Sequence, residues 1–160
     1  VPIVEGSSVF LFEVQSLLST PNFGIPKRTV EGYDRNRVEI LSAVLSRSLK
    51  IDINSKDIYI NIPGGIELRD RSSDLAVIFS LLSSVNQKPI SQKIAAIGEL
   101  GLRGEVRKVS FIKNRINELE KLGFTGVYLP RSHKDDLDKE NIKIKLNYIS
   151  NISELIERVK

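Results

Sequence analysis

A mixed α/β domain is the fold this chain predicts, and three observations predict it. Segments with period-two apolar alternation and segments with apolar residues every three to four positions follow one another along the sequence. The first two strand-like segments are neighbours, which gives the domain an antiparallel start. The composition, 41% hydrophobic and 28% charged over 160 residues, suits one domain with a buried core and excludes wholesale disorder.

The elements follow in order. Ser8 to Leu18 alternates and is rich in Val, Phe and Leu, so it reads as one long strand. Thr20-Pro21-Asn22-Phe23-Gly24 is a turn, and Lys27 to Tyr33 is a second strand, expected to be the hairpin partner of the first. Val38, Leu41, Leu45 and Leu49 define a helix from about Asp34, whose carboxylate is placed to accept from first-turn amides. Asp57 to Pro63 alternates as a strand and Gly64-Gly65 ends it. Leu75 to Leu82 is apolar nearly all round, so that helix is expected to be buried on most faces. Ile94 to Ile97 is a short buried strand, and the glycine-punctuated stretch Gly98 to Val106 is a tight hairpin. Ser110 is expected to cap a helix through Leu122 that Gly123 ends. Val127 to Leu129 closes at Pro130, Ser132 to Asn141 is a polar loop or short helix, Ile142 to Leu146 is a strand, and Ser153 to Lys160 is a last helix. No repeat, low-complexity tract or internal linker interrupts them.

Composition removes several function classes. There is no Cys, so disulfides, thiolate metal sites and thiol nucleophiles are excluded. The single histidine, His133, cannot supply a multi-histidine metal site. No run approaches the roughly 18 apolar residues of a membrane span, and no basic n-region precedes an apolar stretch. A cytoplasmic protein is the simplest expectation. The chain starts at Val1 and lacks Met, which suggests a piece excised from a longer protein. The formal net charge is +4, with basic residues grouped at Lys27-Arg28, Arg35 and Arg37, Arg69 and Arg71, Arg103, Arg107-Lys108, and Lys113 and Arg115. That grouping suits either a nucleic-acid surface or a solvated mixed surface.

Individual motifs carry chemistry less directly. Gly98, Gly101 and Gly104 fit neither a P-loop nor a dinucleotide fingerprint and read as turn glycines with positive φ. Ser72 and Ser73 precede a buried helix, where a serine acts as a helix cap or as a nucleophile beside helix N-terminal amides. A nucleophile needs a base, and Lys113 is the nearest candidate. Glu67, Asp70, Asp74 and Glu99 are interspersed with Arg69, Arg71 and Arg103, so a salt-bridged turn is the better reading than a carboxylate metal site.

Several ungapped stretches then resemble one family. They are Pro21-Asn22-Phe23-Gly24-Ile25-Pro26-Lys27-Arg28, Gly32-Tyr33-Asp34-Arg35-Asn36-Arg37, Gly64-Gly65-Ile66, Ser73-Asp74-Leu75-Ala76-Val77, and Gly98 to Arg107. They resemble the C-terminal Lon-protease-like domain of the bacterial DNA repair RadA (Sms) family, over about Pro2 to Pro130. The resemblance implies the fold of the Lon proteolytic domain, similar to the ribosomal protein S5 domain 2-like fold. Laid on this chain, the Lon nucleophile motif Gly-Pro-Ser-Ala-Gly falls on Asp70 to Asp74 with Ser72 at the serine, and the Lon lysine falls on Arg115. Arginine has no accessible neutral form, so it cannot take a proton from serine. Lys113 lies roughly 200° away around the helix and does not substitute.

The resemblance further implies a longer protein with a zinc-binding segment and a RecA-like ATPase, acting as a hexameric, ATP-driven DNA motor with RecA in recombination. ATP, Mg and Zn belong to those other parts, and no cofactor or metal is expected in this domain. The expected role is a non-catalytic module that builds the ring and binds DNA without reading sequence, through Lys27, Arg28, Arg35, Arg37, Arg69, Arg71 and Arg115. The alternatives are a residual serine peptidase using Ser72 and a pure protein-interaction scaffold.

Overall fold

The computed structural model describes residues 1–22 and 24–155. Strands β1 (Pro2–Glu5) and β2 (Ser8–Leu11) form an antiparallel hairpin. Strand β3 (Gln15–Ser19) follows, then β4 (Arg28–Glu31), helix α1 (Arg35–Leu49) and β5 (Asp57–Asn61). A 3-10 turn (Arg71–Ser73) runs into helix α2 (Asp74–Asn86). Strand β6 (Ile94–Ala96) precedes a hairpin of β7 (Glu99–Leu100) and β8 (Val106–Arg107). Helix α3 (Ile112–Lys121), β9 (Gly126–Pro130), the short helix α4 (Lys134–Leu137), β10 (Lys145–Ile149) and a 3-10 turn (Ile152–Leu155) complete the described chain. The mixed α/β expectation holds.

Two three-stranded sheets carry the layers, in the orders β3-β5-β4 and β10-β9-β6. The second is wholly parallel. In the first, β5 lies antiparallel to β3 and parallel to β4. This corrects the expected hairpin between the first two strands, because β5 inserts between them. The physical reason is α1, a crossover helix that returns the chain parallel to β4. The expected long strand from Ser8 is also two strands: β2 pairs with the N-terminal β1, which the alternation did not reveal, and the chain then crosses to the first sheet. Gly6, at φ 60°, makes the β1–β2 turn.

Helix α2 is the central element. Leu75, Val77, Ile78 and Leu81 are fully buried, as its uniform apolarity predicts. One core joins α1, α2 and the first sheet, and a second joins α3 to β9 and β10. The Phe79 and Tyr128 rings meet at 4.6 Å between centroids, tying α2 to the second sheet. Asp34 caps α1 as expected, its carboxylate accepting from the Arg37 amide at 3.0 Å. No helix among the described residues is long and apolar enough to cross a membrane.

Three local expectations change. Phe111, in the left-handed region at φ 58°, occupies the N-cap of α3, and Ser110 makes no side-chain cap. The last strand begins at Lys145, because the Glu120 carboxylate takes the amides of Lys143 and Ile144 away from any ladder. Of the hairpin glycines only Gly104 has positive φ. A Cβ added at Gly101 would lie 2.0 Å from the Glu105 carboxylate, the movable end of a flexible side chain. The expected final helix is described only as the turn to Leu155, and its remainder lies outside the described residues.

Candidate functional site

The segment Asp70 to Asp74 leads from the β5 loop into α2, and α3 lies across it. Asp70 caps the 3-10 turn, its carboxylate accepting from the Ser72 amide at 2.9 Å. Ser72 is therefore not a helix cap. Its side chain is buried, 1% exposed, and its hydroxyl oxygen accepts from Arg115 Nη1 at 2.8 Å. The same guanidinium donates to Asp70 at 2.7 Å, to the Pro2 carbonyl at 2.5 Å and to the Ser110 carbonyl at 3.0 Å. Burial pushes the Asp70 carboxyl up, but the Arg115 hydrogen bond and charge and the Ser72 amide outweigh it, and the net shift is down. This cluster, together with Lys108 and Phe111, lines a cleft of about 300 Å³.

A second ion pair sits one turn further on. Asp74 is fully buried and accepts from Tyr33 Oη at 2.7 Å, from Arg37 Nε at 3.0 Å and from the Leu100 amide at 3.0 Å. Arg37 Nη2 also donates to its other oxygen and to the Leu100 carbonyl. Burial and the Asp74 charge raise the Tyr33 hydroxyl well above its ordinary value, and the Asp74 hydrogen bond strengthens protonation of Arg37. A buried carboxylate requires such partners.

The remaining candidates disperse. Lys113 Nζ is held at the surface by Glu140 at 2.6 Å and does not approach Ser72. His133, expected in a polar loop, is buried: its Nε2 accepts from the Val109 amide at 3.0 Å and its Nδ1 faces Asp136 at 2.9 Å. Of the four carboxylates, Asp70, Asp74 and Glu67 are each held by an arginine, Glu67 by Arg69 at 2.8 Å, as the salt-bridged reading expects. No group of three metal-ligating side chains occurs among the described residues.

The seven basic residues divide into three sets. Arg115 and Arg37 face inward on the ion pairs above. Arg35, Arg69 and Arg71 surround the N-terminus of α1, each beside an acid: Glu39, Glu67 and Asp34. Lys27 and Arg28 lie at the far end, about 20 Å away along a 15-residue helix. There Arg28 donates to the carbonyls of Lys56 and Asn54. Lys56 lies beside it, and Arg47 and Lys50 stand at the C-terminal end of α1; none of the three is in an ion pair with a described acid. Sequence reading passed over these three because they are spaced singly along the chain. The signal was the cation at each end of the α1-to-β5 connection.

Residues 37–159 match the Lon protease (S16) C-terminal proteolytic domain, and the chain belongs to that family. Within it, the chain is similar to the DNA repair protein RadA of several bacteria. It is 43% identical to that of Streptococcus pyogenes serotype M3 over 135 residues, covering 84% of this chain and 30% of that protein. It is 40% identical to that of Helicobacter pylori strain J99 over 128 residues, covering 80% and 29%. It is 37% identical to that of Bacillus subtilis strain 168 over 153 residues, covering 96% and 33%. The chain thus spans about a third of the length of the curated relatives it matches.

Proposed function

We propose that this chain is a non-catalytic Lon-type module of a DNA repair protein, one that binds DNA through its phosphates and supports assembly of a ring. The observation that carries the first half is the Arg115 guanidinium, seated on the Ser72 hydroxyl and the Asp70 carboxylate. A permanent cation there cannot accept the serine proton, so it offers no base. Asp70 beside the hydroxyl would also oppose a developing oxyanion.

The DNA half rests on Arg28, Arg47, Lys50 and Lys56, with Lys27 beside them. Those four are held in no ion pair among the described residues and keep their charge for phosphate, whereas Arg35, Arg69 and Arg71 are partly neutralised. In the longer protein the module would sit in a cytoplasmic hexamer, driven by ATP in a separate domain and working with RecA. A ring of this kind needs a head-to-tail contact that closes.

The test pairs two assays on this chain. Fluorogenic peptides should show no turnover that Ser72→Ala removes. Fluorescence anisotropy of labelled DNA should show binding that weakens steeply with salt. Serine-dependent turnover would establish the peptidase instead. Salt-insensitive indifference to DNA, with an assembled ring by light scattering, would establish the scaffold.

A further inference from the structure

We propose that the groove between β3 and β6 docks an extended peptide segment of a partner protein, which adds as a strand between the two sheets. Both strands are edges: β3 ends one sheet and β6 ends the other. They face each other across one open groove of about 790 Å³, floored by Ala76, Phe79 and Ser80 of α2. The groove shares no lining residue with the cleft at Ser72, so this proposal stands apart from the function proposed above.

The hydrogen-bond register identifies the occupant's chemistry. The Leu18 amide leaves the sheet and donates to Ser84 Oγ at 3.0 Å. Amides alternate between the two edges of a strand, so the Ser16 amide points the same way. On the facing strand the Ile97 amide donates to Tyr128 of β9. Alternation then turns the amides of Ile94 and Ala96 away from β9. The Ile94 amide is taken by the Ser91 carbonyl at 3.0 Å. The amides of Ser16 and Ala96 have no partner among the described residues, and both residues line the groove.

Unpaired main-chain donors on two facing edges are satisfied by another extended main chain. A strand laid there presents alternate side chains to the α2 floor, so every second residue should be apolar. Glu13 is the one charged side chain lining the groove among the described residues. The intervening residues should therefore be uncharged or cationic.

The experiment is an amide NMR titration of this chain with a panel of capped hexapeptides alternating Val or Leu with Thr or Lys. Saturable shifts and slowed hydrogen exchange at Ser16 and Ala96 are expected. Replacing alternate peptide bonds by trans-alkene isosteres, which lack the carbonyl acceptors, should weaken binding about tenfold, the effect of removing main-chain hydrogen bonds. Ser83→Trp, which puts an indole against the groove lining, should weaken binding about tenfold as well; it also removes the Ser83 Oγ bond to the Lys88 carbonyl, so its melting temperature is measured alongside to confirm that it folds. The proposal is overturned if no peptide binds at about 1 mM, if the alkene-containing peptides bind equally well, or if folded Ser83→Trp binds like wild type. It is also overturned if light scattering shows a dimer whose dissociation exposes these two amides, since a second copy would then be the occupant.

Discussion

Replacing Arg115 by Met should cost about 3 kcal/mol of stability. The side chain is 3% exposed and donates to four oxygens, on Ser72, Asp70, Pro2 and Ser110. Removing one member of a buried ion pair costs roughly 3–5 kcal/mol, because the other charge is left uncompensated. Asp70 is 31% exposed, so water recovers part of that and places the loss at the lower end. For a chain of this length about 3 kcal/mol corresponds to a fall of roughly 6–12 °C in melting temperature. Arg115→Lys should cost less, about 1–2 kcal/mol, since a lysine keeps the charge but loses the planar fork. It should also show no peptidase activity, because Asp70 holds the new ammonium in its charged form. Urea denaturation of wild type, Arg115→Met, Asp70→Asn and the double variant would give the coupling energy directly. A loss below about 0.5 kcal/mol for Arg115→Met, or additive single losses, would refute the reasoning; peptidase turnover by Arg115→Lys would refute its chemical half.

Three further outcomes follow from the same geometry, and one from the surface charge. The Asp70 carboxyl titrates below its ordinary value, so its contribution is present above the ordinary carboxylate pKa and is lost as pH falls through the folded value. Urea midpoints of wild type should therefore drop more between pH 5 and pH 3 than those of Asp70→Asn, values chosen around the carboxylate range of about 4. Burial lowers the His133 imidazole against the pull of Asp136, so the unfolded chain binds the proton first and stability should decline below about pH 6.5. His133→Gln should flatten that decline. Gly32→Ala should cost about 2–4 kcal/mol, because φ is +74° and the added Cβ meets Ile62 Cβ and the Ile66 carbonyl at 2.6 Å; Gly65→Ala, in open space at a similar φ, should cost about 1. Paired charge reversal at Arg28 and Arg47 should make the salt slope of duplex binding shallower by about 1 for each phosphate no longer neutralised. Reversal at Arg35 and Arg69 should leave that slope unchanged in the same anisotropy titration.

What could be read in the sequence followed from local rules. The Asp34 cap, the α1 apolar stripe and the all-round apolarity of α2 each depend on residues within a turn or two of one another, and each stands in the structure. What could not be read depended on partners far along the chain. Alternation identifies β3 and β4 as strands, but only β5, arriving after a whole helix, decides that they do not pair. Basic residues near one another in sequence, such as Arg35 and Arg37, diverge in space: one points to solvent and the other to buried Asp74, because helix positions two apart face different ways. Arg115 looked like surface charge because its four acceptors lie 5 to 113 positions away. The groove-facing amides of Ser16 and Ala96 have no signature in residue type at all, since they are main-chain groups exposed by strand order.

The two buried ion pairs also explain why the departures from the Lon pattern belong together. Asp70 and Asp74 stand where the resemblance places the two glycines that flank the serine, and Arg115 stands at the lysine. In the structure these are not separate losses. Asp70 holds Arg115, and Asp74 holds Arg37 together with Tyr33. Asp74 would be an uncompensated buried charge without Arg37, and Arg115 likewise without Asp70, itself part-exposed. Single reversions are therefore expected to destabilise without restoring chemistry: Asp70→Gly strands the Arg115 guanidinium, and Arg115→Lys leaves a protonated amine on Asp70. Only joint replacement, Asp70→Gly with Arg115→Lys, removes both the excess carboxylate and the permanent cation. If that double variant folds and cleaves a fluorogenic peptide in a Ser72-dependent way where the parent chain does not, the frame still holds a competent serine, and the Asp70–Arg115 pair is what silences it. If it folds and stays inert, the ion pair is not what limits the serine, and the burial of Ser72, 1% exposed, is the next feature to test.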